Sequence, residues 1–346
     1  MSKKVIYKLR SGKPIKILDL SKNFLGLLKP DVYYRVRLNK KLKKVQRRSD
    51  YEYIKERVNY YIKINHPWTL DSKDEIQRSK SWLLYRGAIG NYRRKMFCTA
   101  YFFDQHDVTR WFPSFLRWNF CPGDVYFTPH EPTVVKSRLL SDTNQNSVLL
   151  KLDKLRHFLF VQDRKAFTQK MDKVIFRGKI RDSRLRTSFI EKFIDNPLCD
   201  CGVVGKNQGY PKEWMVEKKT IRQHLDYKFI MAIEGNDVAS NLKWVMSSNS
   251  IAVMPHPTCE TWFMEGKLIP DYHYIEVKDD FSDLEEKVTY YASLPNKAEE
   301  IIHHAHEFVH QFMDTKRENL IQLLVLGRYF KTSGQLETYL EVPSVK

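Results

Sequence analysis

At 346 residues the chain exceeds one ordinary hydrophobic core and suits two domains of roughly 150 residues each. A content of 42% hydrophobic and 13% aromatic residues excludes disorder over most of the length, and five cysteines, of which only Cys199 and Cys201 lie close together, exclude a disulfide framework and favour a reducing, cytoplasmic setting. The net charge of +18 draws the protein to polyanions, whether nucleic acid, an anionic leaflet or a phosphorylated glycolipid, and does not choose among them.

Met1 to Lys8 lack the apolar core of a signal peptide, and no apolar run approaches the roughly 18 to 20 residues that cross a bilayer. The expectation is a chain neither exported nor integral to a membrane. Lys40, Lys41, Lys43, Lys44, Arg47 and Arg48 are followed by Tyr51, Tyr53, Tyr60 and Tyr61 at spacings that suit an amphipathic helix. This basic N-terminal region reads as a solvated helix with inward tyrosines, as a membrane-docking surface, or as a nucleic-acid site. No RNP, zinc-finger or KH pattern supports the last, so no nucleic-acid partner is expected. Residues 50–95 read as mostly helical, with Asp71 and Ser72 as N-cap candidates ahead of Glu75. From Tyr101 to Arg138, short apolar runs broken by Pro and Gly read as strands or strand ends: Tyr101-Phe102-Phe103, Gly123-Asp124-Val125-Tyr126-Phe127 and Thr133-Val134-Val135.

From about residue 150 strand and helix signals alternate. Phe158 to Val161 and Lys173 to Phe176 read as strands, and Arg184 to Ile194 as a helix with Phe189, Ile190 and Phe193 on one face. Tyr227 to Ile233, then Glu234-Gly235-Asn236-Asp237, a helix from Ala239 to Met246 and a strand from Ser250 to Met254 form a βαβ unit. Such alternation predicts an α/β fold with a doubly wound parallel sheet, its ligand site beyond the carboxyl ends of the strands.

Arg177-Gly178 follows a strand, where a guanidinium fork suits a diphosphate and glycine admits a ligand to the backbone; a salt-bridged arginine is the plainer alternative. Gly235-Asn236-Asp237 is expected to open a helix whose N–H groups face a phosphate, with Lys243 adding charge two turns on. Asp124, between a glycine and an apolar run, is a candidate general base, or simply a turn former. Cys199-Asp200-Cys201 has no second ligand pair, so no metal is expected there. His306-Glu307-Phe308-Val309-His310 matches H-E-x-x-H, the pattern of zinc hydrolases, although the same helix must pack Ile301, Ile302, Phe308, Val309 and Phe312. No D-x-D, P-loop or G-x-G-x-x-G occurs, which disfavours metal-held diphosphate, ATP and dinucleotide chemistry.

Residues 100 to 315 resemble glycosyltransferase family 90, which includes bacterial lipopolysaccharide core enzymes, fungal capsule xylosyltransferases and animal protein O-glucosyltransferases. The resemblance is carried by Gly123-Asp124-Val125, Pro132 to Arg138, Phe176-Arg177-Gly178, Tyr227-Lys228-Phe229, Glu234 to Trp244, Glu260-Thr261-Trp262 and Pro270 to Tyr274. It implies a GT-B architecture: two Rossmann-like domains facing across a cleft, residues 1–150 on the acceptor side, 151–315 binding the nucleotide sugar, and a helix in 316–346 packing back on the first. It implies an inverting, cytoplasmic transferase of glucose, galactose or xylose from a UDP-sugar to a glycan, the bacterial wording pointing to lipopolysaccharide core. No cofactor or metal is required on this reading, and peripheral contact with the anionic inner membrane fits the charge. Asp124 then takes the family's catalytic place. Arg177, Gly178, Gly235, Asn236, Asp237, Ser240 and Lys243 bind the donor's diphosphate region, and Glu260 its ribose. Lys136, Ser137, Arg138 and Arg184 are further candidates for cleft or donor contacts. The alternatives are a zinc hydrolase using His306, Glu307 and His310, and a basic binding protein with a degenerate site.

Overall fold

The structure, a computed structural model, describes residues 24, 26–71, 73–78, 83–95, 100–207 and 209–336. Ser72, Cys98, the segment Met1 to Lys8 and residues 337–346 lie outside the described residues. The chain divides into two compact units. One gathers Asp19–Lys154, Cys259–Phe263 and Phe312–Lys346; the other contains Leu155–Thr258 and Met264–Gln311.

The first unit opens with helices α1 (Asp31–Lys43) and α2 (Tyr51–Tyr61). The basic stretch and the tyrosines therefore do not share one helix: a turn separates them, and Tyr61 is fully buried. Next, β1 (Glu75–Arg78) and β2 (Leu83–Ala88) form an antiparallel hairpin where a helix was expected. In β2, Tyr85 and Gly87 point inward and Arg86 outward to Asn119 and Glu131; this period of two overrides the helical composition. Asp71 still accepts the Lys73 N–H at 3.0 Å, but closes a turn and caps no helix.

After α3 (Ile89–Lys95), α4 (Ala100–Thr109) replaces the expected strand at Tyr101-Phe102-Phe103. Phe102, Gln105, His106 and Thr109 are buried at spacings of three and four, so packing of one helical face overcomes the strand preference of three consecutive aromatics. Strands β3 (Arg117–Cys121), β4 (Thr133–Val135), β5 (Ser137–Leu139) and β6 (Ser147–Leu149) follow. The sheet order is β1-β2-β3-β4-β6, antiparallel as far as β3 and parallel beyond it. Val134 lies in β4 as expected, whereas residues 124–127 form an irregular loop. The helix Thr315–Thr332 packs on α2 and anchors there through Glu318, which meets Arg57 at 3.0 Å.

The second unit is built on β7 (Met171–Gly178), β8 (Cys199–Val203), β9 (Tyr227–Met231) and β10 (Ile251–Met254). Strand β11 (Cys259–Thr261) belongs to the first unit and pairs antiparallel with β5; β12 (Ile275–Glu276) completes the second. The order β12-β10-β9-β7-β8 is parallel throughout. Continuous burial of Tyr227–Met231 and Ile251–Met254 is what a strand covered on both faces requires. Helix α5 (Arg184–Phe193) starts on a Ser183 cap and buries Phe189, Ile190 and Phe193, the predicted face. Residues 158–161 form no strand. The helix of the βαβ unit is one short turn, α6 (Leu242–Met246), so Gly235-Asn236-Asp237 lies in a loop and does not open a helix. Helices α7 (Leu284–Ser293) and α8 (Pro295–His310) complete the unit. Among the described residues no helix is long and apolar enough to cross a membrane.

Candidate functional site

In the first unit the loop between β3 and β4 turns on Gly123, whose φ of 112° disfavours any residue with a Cβ. That kink presents Asp124. Its carboxylate accepts from Lys136 Nζ at 2.7 Å, and its side chain is 16% exposed against 1% for the lysine. The buried lysine fixes the orientation of a carboxylate that is itself partly exposed. Ser137 clamps the same loop, its hydroxyl accepting from the Val125 N–H at 3.2 Å. Arg138 is buried; it donates to Glu260 at 2.7 Å and to the Tyr60 carbonyl at 2.8 Å, and Tyr60 donates its hydroxyl to the other oxygen of Glu260. Lys136 and Ser137 thus form a buried support for the Asp124 loop, while Arg138 and Glu260, each 1% exposed, form a buried pair with Tyr60.

In the second unit the predicted residues collect at the carboxyl ends of β7 and β9. Arg177 donates to the Asp200 carbonyl at 2.7 Å and pairs with its carboxylate, the salt-bridged alternative of the sequence reading. Burial pushes the Asp200 carboxyl up, but hydrogen bonds from Tyr227 and Arg177 outweigh it and bring it down to about 2. Gly178 is required by its own strand, since a Cβ there would lie 2.5 Å from the Phe176 ring. Lys243 is fully buried against Glu265, so its charge is matched. The loop after β9 is a tight turn, Gly235 N–H donating to the Asp237 carbonyl at 2.9 Å. Asn241 ties its far end to the Met231 carbonyl at 2.9 Å, with Asn236 and Ser240 between. Glu234 accepts from the Thr258 hydroxyl, joining this loop to the one after β10.

Sequence reasoning missed Arg186. It named Arg184, which is exposed on the first turn of α5, whereas Arg186 turns under the β9 loop. Arg186 donates through Nε and one terminal nitrogen to the Ile233 carbonyl, at 3.2 and 2.8 Å, and through the other to the Lys179 carbonyl at 2.8 Å. One N–H on each terminal nitrogen is left over. No carboxylate of the described residues reaches it as an ion pair; burial, with Arg181 adding to it, pushes its pKa down to about 10 against the opposing pull of the Asp237 and Glu234 carboxylates. Gly235 exists partly for this arginine, since a Cβ there would sit 3.0 Å from its guanidinium. No local pattern separated it from Arg184; only its hydrogen bonds to the Ile233 carbonyl at the end of the β9 segment mark it.

His306 Nε2 faces the Ser248 carbonyl at 2.8 Å, Glu307 pairs on the surface with His303 at 3.5 Å, and His310 is exposed. Among the described residues no three His, Cys, Asp or Glu side chains are grouped to hold a metal ion. Cys199 and Cys201 are buried in the core of this unit, which raises their thiols to about 12 and about 11.

A family model described as glycosyl transferase family 90 matches residues 146–332, more than half of the chain. The chain is 40% identical over 235 residues, 67% of its length and 72% of the relative's, to O-glucosyltransferase LpsA of Dichelobacter nodosus. It is 30% identical over 129 residues, 36% of its length and 25% of the relative's, to Protein O-glucosyltransferase 3 of Rattus norvegicus. These matches favour glycosyl transfer over the zinc-hydrolase alternative. The chain belongs to glycosyl transferase family 90.

Proposed function

We propose that the protein transfers a hexose or pentose (glucose, galactose or xylose) from a UDP-sugar to a carbohydrate acceptor, lipopolysaccharide core above the others, with inversion and without a metal. Glucose is favoured among the donors by the names of both relatives. The observation that carries the reading is Asp124, presented on a glycine-kinked loop, paired with a buried lysine and itself 16% exposed, in a glycosyl transferase chain. On this reading the fold is GT-B and the first unit serves the acceptor. Asp124 takes the proton of the acceptor hydroxyl as that oxygen bonds to C1 of the sugar; the bond from C1 to phosphate breaks and its electrons leave with UDP. One displacement inverts the anomeric carbon.

The second unit serves the donor. Negative charge growing on the β-phosphate is met by the two remaining N–H groups of Arg186 and by the loop of Asn236, Asp237 and Ser240, which Gly235 holds in shape by donating its N–H to the Asp237 carbonyl. Arg177 adds positive potential from behind Asp200. Preorganised donors of this kind lower a barrier by several kcal/mol and replace the charge a divalent ion would bring, consistent with a sequence that lacks D-x-D. Glu260 and Lys243 act by holding loops in place. The charge of +18 suits an acceptor rich in phosphate and acidic sugars at an anionic membrane, with the enzyme bound peripherally at its cytoplasmic face.

The test is donor turnover with UDP- and GDP-sugars in EDTA. Selective UDP-sugar hydrolysis that survives EDTA supports the reading. Activity only after a divalent ion is restored, or with GDP-sugars alone, overturns it.

A further inference from the structure

Between residues 24 and 49 the chain carries one carboxylate, Asp31, against nine lysines and arginines. Asp31 faces inward, meeting Arg110 at 3.3 Å and His106 at 3.6 Å, and Arg35 at 3.7 Å. Leu38 and Leu42 are buried on the inner face of α1, and Tyr34 packs edge-on to Trp111 at 5.1 Å. The outer face is different. Leu28, in the turn ahead of α1, is 76% exposed, Val32 62% and Val36 69%, with Tyr33 beside them at 47%. A spacing of four places Val32 and Val36 on one face of the helix, continued by the exposed pair Lys40 and Lys43, and Leu28 adds an exposed side chain in the turn ahead of it.

Single exposed apolar residues need no explanation, but a stripe of them beside cations with no outward acid does. We infer that this face of α1 docks on an anionic lipid surface, Leu28, Val32, Tyr33 and Val36 entering the headgroup–acyl boundary while the flanking lysines and arginines hold lipid phosphates. RNA would use the charge and leave the aliphatic stripe in water. The inference rests on the proposed reading only in that the acceptor is presented at a membrane. It also relocates the contact: the sequence reading centred on Lys40 to Tyr61, whereas the aliphatic contacts lie ahead of Lys40 and Tyr61 is buried.

The experiment is sedimentation of the full chain with acceptor-free vesicles of phosphatidylglycerol and phosphatidylcholine, or of phosphatidylcholine alone, with UDP-sugar hydrolysis read in parallel. The wild type binds the anionic vesicles, and L28D/V32D/V36D binds them at least about tenfold more weakly at unchanged hydrolysis. Lys40→Glu/Lys43→Glu weakens binding in the same direction, and Tyr33→Trp adds emission that brominated lipid quenches. Equal binding by the aspartate variant, absence of quenching, or preference for a single-stranded RNA over the vesicles overturns the inference. Lost vesicle binding with intact hydrolysis counts against this inference alone; absent hydrolysis with intact vesicle binding counts against the proposed function alone.

Discussion

Replacing Arg186 by alanine separates phosphate binding from loop support. Two of its N–H groups are available for a diphosphate, and charge-assisted hydrogen bonds contribute about 1.5–3 kcal/mol each. Loss of both, partly replaced by water, weakens UDP binding by about 3 kcal/mol, or roughly a hundredfold. The other three donors hold the Ile233 and Lys179 carbonyls, so the loop loosens as well. Uridine separates the effects, because it uses the pocket without the diphosphate. Calorimetric titration of Arg186→Ala is expected to show UDP about a hundredfold weaker and uridine weaker by no more than about threefold. Arg186→Lys, with a point charge in place of a fork, falls between the two proteins. A UDP affinity within twofold of wild type, or an equal loss for uridine, refutes the assignment.

Other substitutions test the supports. Lys136→Met leaves Asp124 without its 2.7 Å partner and is expected to lower kcat by about tenfold or more with KM for the donor nearly unchanged; an unchanged kcat removes the lysine from the account. Gly178→Ala forces the Phe176 ring aside and costs about 1–3 kcal/mol of unfolding free energy in urea. The Asp200 carboxyl is depressed to about 2, so the stability it contributes is full above the unfolded value near 4 and is lost as pH falls toward 2. The difference between wild type and Asp200→Asn, roughly 2 kcal/mol at pH 5, should shrink steadily to pH 2; a constant difference rejects the assignment. His306→Ala loses one hydrogen bond to Ser248, about 1 kcal/mol, and leaves transfer unchanged, whereas a zinc hydrolase would lose its activity.

The second unit was legible where residues were buried on both faces of a sheet. Tyr227 to Met231 and Ile251 to Met254 admit no other reading than strands, and Phe189, Ile190 and Phe193 mark a helix by spacing alone. The first unit was less legible because local signals compete there with packing. Tyr101-Phe102-Phe103 favours a strand, yet its neighbours at Gln105, His106 and Thr109 bury a helical face that emerges only once the partners are known. Glu75 to Ala88 looked helical in composition, and its alternation shows only when Arg86 is seen to pair across the sheet.

The candidate site divides in the same way. Asp124, the Phe176-Arg177-Gly178 strand end and the Gly235 loop stand in the sequence as motifs. What each cation faces does not: Arg177, Lys136, Arg138 and Lys243 all form ion pairs with carboxylates, three of them distant in sequence, whereas Arg186 forms none among the described residues and feels Asp237 and Glu234 only at longer range. A pairing of Arg138 with Glu260 spans two chain segments brought together by the β5 and β11 ladder, which no local pattern records.

The central claim is a single inverting displacement in which Asp124 takes the acceptor proton. Its most direct measurement is proton NMR of the product formed from an α-linked UDP-sugar by wild type and Asp124→Asn. The account predicts a β-linked product from the wild type, with Asp124→Asn binding UDP normally and turning over at least about a hundredfold more slowly. An α-linked product, or full turnover by Asp124→Asn, would contradict it.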